Sequence, residues 1–552
     1  MVTQPHDVEL GADNSAGAND ESCVGLAEAL DRWSNLLGRD HVRTDEETID
    51  QYSRTSIPYG NRAIAVVRPG CTAHVSVLVK IATAHRIPLY PISRGKNWGY
   101  GAACPTTRNQ VILDLSRMNR IVEVNGELAY AVIEPGVSQG KMFDYLREHH
   151  PGLMLDVTGA GPEASIVGNT LERGFGHTPY GDHFAHSCGL EVVLADGRVL
   201  RTGFGSVPGA KASRVFPSGI GPRLEGLFTQ SNFGIVTQMG IWLMPRPPFC
   251  QAFAAAIAED SSLGTLIDAL RELRLSDTVR SAVHVANDLR VLSSRQQFPW
   301  HLTGGETPLP DAIRRDLRKQ AGLGAWNVMG GLYGTRETVA AARTVVHRHL
   351  GKLGRLKFFD RSKLARGRKL LRLQGAFGIG KSLEGIIDAA ESVFDLLEGI
   401  PSPRHLRGVA WRARNVDTSQ TIDPCDCGSI WLSPVVPMTG EACRELLSLV
   451  EPTFRRYKLE PLITLTSINP RALCCVISIC FDKGSKTETD LAQECYEYLF
   501  TTLRERGFLP YRVGIQSMEK LRAEPSTYWD VCRQIKAALD PEQILAPGRY
   551  CG

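Results

Sequence analysis

The 552-residue chain has no stretch of about eighteen consecutive apolar residues, so no membrane-crossing helix is expected. Its start lacks the charged-then-apolar pattern of an export leader. Charge is close to balanced, +4 overall with 22% charged residues, and no dense Lys/Arg stripe is interleaved with aromatics. Nucleic acid is therefore not an expected partner. None of the fourteen cysteines has the CxxC…CxxC spacing of a zinc site, and the close pairs are Cys425/Cys427 and Cys474/Cys475. No metal is expected, and the thiols read as reduced and mostly buried, in a cytoplasmic or otherwise reducing compartment. No internal repeat is visible. A hydrophobic fraction of 43% is ordinary for a globular protein, and the length calls for two or three domains.

The most informative stretch is Pro91 to Gly101, Pro-Ile-Ser-Arg-Gly-Lys-Asn-Trp-Gly-Tyr-Gly, between the apolar runs Ile87–Tyr90 and Val111–Leu115. It reads as a strand feeding a loop. Gly95, Gly99 and Gly101 admit backbone conformations that side chains disfavour, and Ser93, Arg94, Lys96 and Asn97 place donors beside exposed amides, a combination suited to wrapping a pyrophosphate. A surface turn is the plainer alternative for such a loop taken alone.

In chain order, residues 1–22 are polar and aperiodic and read as disordered. Helical spacing follows over Val24–Leu37. A strand at 63–67, a helix near 74–85 and the strand before the loop form a β-α-β unit. Residues 159–183 make a long glycine-dense connection of the kind that carries function. Leu190–Leu194 and Val199–Thr202, joined by Ala-Asp-Gly-Arg, read as a hairpin, followed by a helix at 224–230 and a strand at 235–244. Pro245-Arg-Pro-Pro marks a boundary. Beyond it come amphipathic helices at 262–274, 335–350, 383–398 and 440–456, with apolar strands such as 474–481, then helices at 488–507 and 528–539. The expected domains are 23–247, 248–500 and a returning segment 501–552.

Gly375-Ala-Phe-Gly-Ile-Gly-Lys-Ser satisfies the GxxxxGK[ST] pattern of a phosphate-binding loop. The preceding Arg368–Gln374 is basic and amphipathic where a buried parallel strand is needed, and no apolar strand ending in Asp follows to hold magnesium. A nucleotide-hydrolysing module nevertheless stands as a competing function from a different class.

Six motifs in order, Pro-Ile-Ser-x-Gly-x-Asn-x-Gly-Tyr-Gly (91–101), Glu-Pro-Gly-Val (134–137), Gly-Asn-Thr-x-x-Arg-Gly-x-Gly-x-Thr-Pro-Tyr-Gly-Asp-His (168–183), Glu-Val-Val-Leu-Ala-Asp-Gly (191–197), Asn-Phe-Gly-Ile-Val-Thr (232–237) and Ile-Leu-Ala-Pro-Gly (544–548), resemble the vanillyl-alcohol oxidase/p-cresol methylhydroxylase family of FAD enzymes. The resemblance implies an α+β fold, with an FAD-binding domain made by both chain ends and an α+β cap over the flavin, usually as a homodimer. It assigns Pro91, Ser93, Arg94, Gly95, Lys96, Asn97, Trp98 and Tyr100 to the pyrophosphate. Pro135, Gly136, Gly168, Asn169, Gly174, Gly176, His177, Tyr180 and Gly181 would line the cofactor channel, Ile235 and Val236 would meet the adenosine half, and Arg512 and Arg549 would also touch FAD. It implies a phenolate clamp of Tyr100, Tyr511 and Arg512, because two tyrosines and a guanidinium favour an ionised phenol oxygen. The implied reaction is hydride transfer from the benzylic carbon of a para-substituted phenol to flavin N5 through a p-quinone methide, with oxygen or another acceptor taking the electrons. A family member that binds FAD but oxidises a sugar or hydroxy acid is a further alternative.

The chain departs from the family pattern at three places. The aspartate nine residues before the Asn of Gly-Asn is here Ala160, with Glu163 and His177 nearby as substitute candidates or as structural residues. The flavin-linking histidine position falls near Ser429, and no tyrosine lies between 340 and 450, so non-covalent FAD is expected, with Cys425 or Cys427 a remote linkage option. The histidine pair of the cap strand is Cys474-Cys475. Without a carboxylate to activate water, the quinone methide can rearomatise by losing CO2 from a β-carboxylate, which would want a basic residue near the acid; Arg412 and Arg414 are the candidates.

Overall fold

The computed structural model describes residues 18–375 and 381–551. Residues 1–17 of the expected disordered lead-in lie outside these, whereas 18–22 belong to the helix Ala18–Leu37, which therefore begins earlier than its apolar spacing suggested. The architecture is α+β.

Three short runs of buried Val, Ile, Leu and Ala form the parallel part of a four-stranded sheet, as unbroken apolar strands do when both faces are covered. Val111–Asp114 lies between Ala65–Val67 and Leu89–Ile92 and runs parallel to both, and Val42–Arg43 closes the far edge antiparallel. The helix Thr72–Ala84 makes the β-α-β connection, with Val75, Leu78 and Val79 facing the sheet core that Trp33 shares. The loop 93–110 leaves this sheet at the end of Leu89–Ile92 and returns through its centre.

A second sheet is antiparallel, in the order Ile121–Asn125, Tyr130–Ile133, Ile235–Trp242, Ser187–Val193, Val199–Arg201. The last two strands are the expected hairpin. The helix expected at 224–230 is instead a single 3-10 turn, Glu225–Phe228, cut short where Gln230 takes a left-handed φ of 47°. That kink frees the Gln230 side chain to donate to the Tyr511 carbonyl at 2.8 Å.

The third sheet has eight strands drawn from Phe249 to Phe481, all antiparallel. The helices Leu263–Leu275, Arg336–Leu350, Gly440–Arg456 and Lys486–Glu505 pack on one another and on this sheet. Thr335, Thr439 and Ser485 start three of them by accepting a backbone N–H three residues on. The phosphate-loop candidate follows a helix, Arg361–Gly375, and not a strand, while its residues 376–380 lie outside the described residues.

The C-terminal segment docks on the first sheet. Leu89 donates to the Ile544 carbonyl and accepts from the Ala546 amide, both at 2.7 Å. Lys536, almost wholly buried, donates to Asp540 and to the carbonyls of Asn232 and Leu545, tying three segments together.

Candidate active site

A cleft of about 170 Å3 opens where the loop 91–98, the helix Ile166–Leu171 and the C-terminal segment meet. Pro91, Ser93, Arg94, Gly95, Lys96, Asn97 and Trp98 line one wall, Ala160, Gly168, Asn169 and Glu172 another, and Trp431, Arg512 and Arg549 the ends. The backbone geometry explains the loop sequence. Gly99, at φ 73°, lies against the Trp431 indole, where a Cβ would come within 2.7 Å of the ring.

Four cations, Arg94, Lys96, Arg512 and Arg549, surround the cleft. Arg94 is held by the Glu163 carboxylate and by the Glu163 carbonyl at 2.8 Å. Arg549 is held by Glu172 and donates to the Tyr90 hydroxyl at 2.7 Å. The donor set suits FAD: a run of positive charge and loop amides fits a pyrophosphate, and the buried Nε1 of Trp431 and Nε of Arg512 have no protein partner.

At the Arg512 end, the guanidinium stacks over the Tyr100 ring at 4.0 Å and lies 5.4 Å from the Tyr511 ring. Tyr100 shares a 2.8 Å hydrogen bond with Ser433 and meets Trp431 edge-on. The Tyr511 amide donates to the Ser433 carbonyl, and its ring contacts Phe175. Burial pushes the Tyr511 hydroxyl well above its ordinary value and raises Tyr100 too, more than Arg512 lowers them, so both are protonated donors at neutral pH. Burial alone would lower Arg512; Tyr511, Tyr100 and Glu172 outweigh it and hold the guanidinium charged. A guanidinium flanked by two hydroxyl donors is a receptor for a single ionised oxygen. Cys474 lies within electrostatic reach of Arg512, and burial pushes its thiol up, so it stays neutral.

The rest of the glycine-dense stretch is spent on internal packing. Gly174 leaves room for the Asn169 side chain, and Gly176 lies where a Cβ would fall 2.0 Å from Asp156 Oδ2. Asp156 is a hub that the sequence reading missed: it accepts from the amides of His177 and Thr178, and from His183 at 2.9 Å. Burial would raise its carboxyl, but these bonds prevail and keep it lowered. Tyr180 stacks on His186, and Gly181 closes a turn on Thr178. Pro135 accepts from Ser165, and Gly136 packs on Ser116 while its carbonyl accepts from Arg94. Ile235 and Val236 are buried in the strand Ile235–Trp242.

Ala160 does line the cleft, against an apolar group that includes Trp98, Leu406 and Val409. Of the two substitute candidates, Glu163 is exposed and paired with Arg94, which takes it out of that role. Arg412 and Arg414 are also excluded as free cations. Arg412 is buried between Glu460 and Glu488, and Arg414 pairs with Asp482 while stacking on Trp300 at 3.7 Å. Ser429 donates its amide to Ser56, and burial pushes the thiols of Cys425 and Cys427 up to about 12, which leaves both inert. Glu172 and Trp431 were not foreseen either. Glu172 sits at a variable position inside the Gly-Asn motif, and Trp431 comes from another sheet.

A model of an FAD binding domain matches residues 63–203. The 1'-carboxy-chondrochloren decarboxylase of Chondromyces crocatus is 40% identical over 95% of this chain and 97% of its own. The 4-cresol dehydrogenase (hydroxylating) flavoprotein subunit of Pseudomonas putida is 34% identical over 94% of each. Among solved structures, substrate-bound p-cresol methylhydroxylase superposes with a TM-score of 0.86 at 33% identity, covering 96% of this chain and 97% of that one. The 4-ethylphenol oxidase of Gulosibacter chungangensis, in its isoeugenol complex, gives the same TM-score at 29% identity with the same coverage. With its cleft, its cations and its whole length matched in this way, the chain belongs to the vanillyl-alcohol oxidase/p-cresol methylhydroxylase family of FAD-dependent oxidoreductases.

Proposed function

We propose that this enzyme oxidises a para-substituted phenol and that the oxidised substrate is completed by loss of CO2 from a β-carboxylate. The observation that carries the reading is the pairing of a Tyr100, Tyr511 and Arg512 receptor with an apolar Ala160 at the position where the family has a carboxylate. The decarboxylase relative, at 40% identity, supports the second half.

The cleft residues 91–98, Gly168, Asn169, Arg512 and Arg549 would hold FAD, non-covalently, and the flavin supplies a two-electron acceptor for hydride. Arg512 and the two tyrosine hydroxyls bind the phenol oxygen as its anion. Negative charge on that oxygen drives hydride from the benzylic carbon, leaving a p-quinone methide. In a substrate with a carboxylate on the next carbon, the C–CO2 bonding pair then becomes the new alkene π bond as the ring regains its aromaticity. CO2 leaves, the phenolate is restored, and no proton is taken from or given to the protein. A general base is therefore unnecessary, and a carboxylate at position 160 would repel the substrate's own.

We further assign 23–247 and the C-terminal return to the FAD domain and the sheet from Phe249 onward to the cap. The packing of the helix Lys486–Glu505 on the cap sheet supports a boundary near its C-terminal end, with the returning segment taken as 501–552. A homodimer, and oxygen or another electron acceptor, are carried over from the family resemblance. A reducing compartment is consistent with the unbridged thiols of the described residues, and no helix among them is long and apolar enough to cross a membrane.

The test is anaerobic mixing of the flavin-loaded enzyme with 3-(4-hydroxyphenyl)propanoate and with 4-propylphenol. Flavin bleaching by the propanoate, with stoichiometric CO2 and 4-vinylphenol, is expected. Alcohol or ketone products from both compounds, without CO2, would return the enzyme to simple phenol oxidation.

A further inference from the structure

The chain carries a second polar cluster deep in the fold. The rings of His177 and His284 lie 4.3 Å apart, and Nδ1 of His177 and Nε2 of His284 are shielded from solvent yet have no hydrogen-bond partner. Two such nitrogens side by side are costly to leave unsatisfied, roughly 1–3 kcal/mol each, and point to a ligand group that pairs with them. Both residues are of intermediate burial, as are Phe175, Tyr511 and Arg512.

Sheet register places this pair on the side of the phenolate receptor. His284 is directly opposite Thr466, and Thr466 is directly opposite Cys474, whose thiol feels the Arg512 charge. Directly opposed residues project from the same face, and Thr466 is hydrogen-bonded to His284 Nδ1 at 3.0 Å. Two strand spacings, about 10 Å, separate His284 from Cys474. In a phenol whose carboxylate lies two carbons beyond the ring, the charged ends are separated by roughly 8 Å at ordinary bond lengths, a span of the same order.

A buried cation stands behind the pair: His405, a third neutral imidazole, is near both rings, and Arg290 is within electrostatic reach of His405. Among the described residues Arg290 forms no ion pair, and the group that opposes its desolvation is the Cys480 thiol. Asp156 is the nearby anion, and its oxygens are taken by His183 and two amides. Burial lowers His284 and His405 to about 4 and His177 further from its ordinary value, so the rings offer neutral N–H donors. Neutral donors suit a carboxylate that must leave as CO2, since a bidentate cation would stabilise the ground state more than the departing neutral molecule.

Resting on the phenol reading above, we propose that His177 and His284 form the subsite that binds the substrate's side-chain carboxylate, with Arg290 supplying favourable potential behind them. The subsite takes an aliphatic or vinylogous carboxylate about two carbons from a phenol ring.

The test is spectral titration of the flavin-loaded enzyme with 4-hydroxycinnamate, which has no benzylic hydride to lose, and with the uncharged 4-hydroxycinnamamide. The unaltered protein is expected to prefer the acid. His284→Val and His177→Phe should each cut the acid-to-amide preference by roughly 10- to 100-fold, the range of a hydrogen bond to a charged group. His284→Gln, which keeps a donor, should restore most of it. Equal loss of affinity for both ligands, or an unchanged preference, would overturn the subsite. Failure of both ligands to bind the unaltered protein would overturn it together with the phenol receptor. Binding with the expected preference, but without CO2 in the turnover assay, would support the subsite and remove only the decarboxylation.

Discussion

Arg512→Met is expected to reduce kcat/KM for a para-substituted phenol by roughly 10^2- to 10^4-fold at neutral pH. Removing one partner of a buried charge pair costs about 3–5 kcal/mol, and each 1.36 kcal/mol is tenfold in rate. The guanidinium stacked over Tyr100 is the positive charge that lowers the pKa of a bound phenol, because an opposite charge favours the ionised form. Without it the phenol ionises nearer its free value of about 10. The variant's rate should therefore climb about tenfold per pH unit toward that value, while the unaltered enzyme stays flat over the same interval. Tyr511→Phe removes a donor but not the charge, and a loss of roughly 10- to 100-fold follows. Stopped-flow flavin reduction from pH 6 to 10 makes the measurement. A pH-independent deficit in Arg512→Met would mean that the arginine acts only in packing or on the cofactor.

Lys536→Met carries the largest expected effect on stability. The Lys536 ammonium is nearly inaccessible and touches Asp540 and the carbonyls of Asn232 and Leu545. Asp540 in turn accepts from the amides of Ile544 and Leu545. Burial lowers the lysine pKa, and Asp540 works against that shift. The substitution strands the Asp540 charge in the interior, at about 3–5 kcal/mol. A fall in Tm of roughly 3–4 °C is expected by differential scanning calorimetry, because the unfolding entropy of so long a chain is large. The segment from Ile544 to Arg549 should loosen as well, with easier loss of FAD. Asp540→Asn added to the variant removes the stranded charge and should recover part of the loss. A double variant no more stable than the single one would show that the bridge is not what matters there.

Much of this was legible in the sequence, for local reasons. Strands of Val and Ile, helices opened by Thr335, Thr439 or Ser485, and a hairpin at Asp196-Gly197 are set by interactions within a few residues of one another. The failures are instructive in the same terms. The turn at 225–228 has helical composition but ends at Gln230, whose side chain is drawn to Tyr511 some 280 positions away. The glycines at 174 and 176 also make room for the side chains of Asn169 and Asp156, a packing need that their spacing does not announce. Arg412 and Arg414 look like free cations, and long-range carboxylates hold both.

What the sequence by itself determined is the class of machine: its ordered glycine motifs, the Tyr100 and Tyr511-Arg512 positions and the missing carboxylate at 160 identify an FAD enzyme with an altered site. Only tertiary structure decided what stands near the altered site. His177, the 284–290 segment with His284 and Arg290, and His405 come from three segments whose proximity depends on strand pairing and on the docking of one sheet against another. No spacing rule along the chain encodes a contact of that kind, because the free energy that makes it is the burial of surfaces elsewhere.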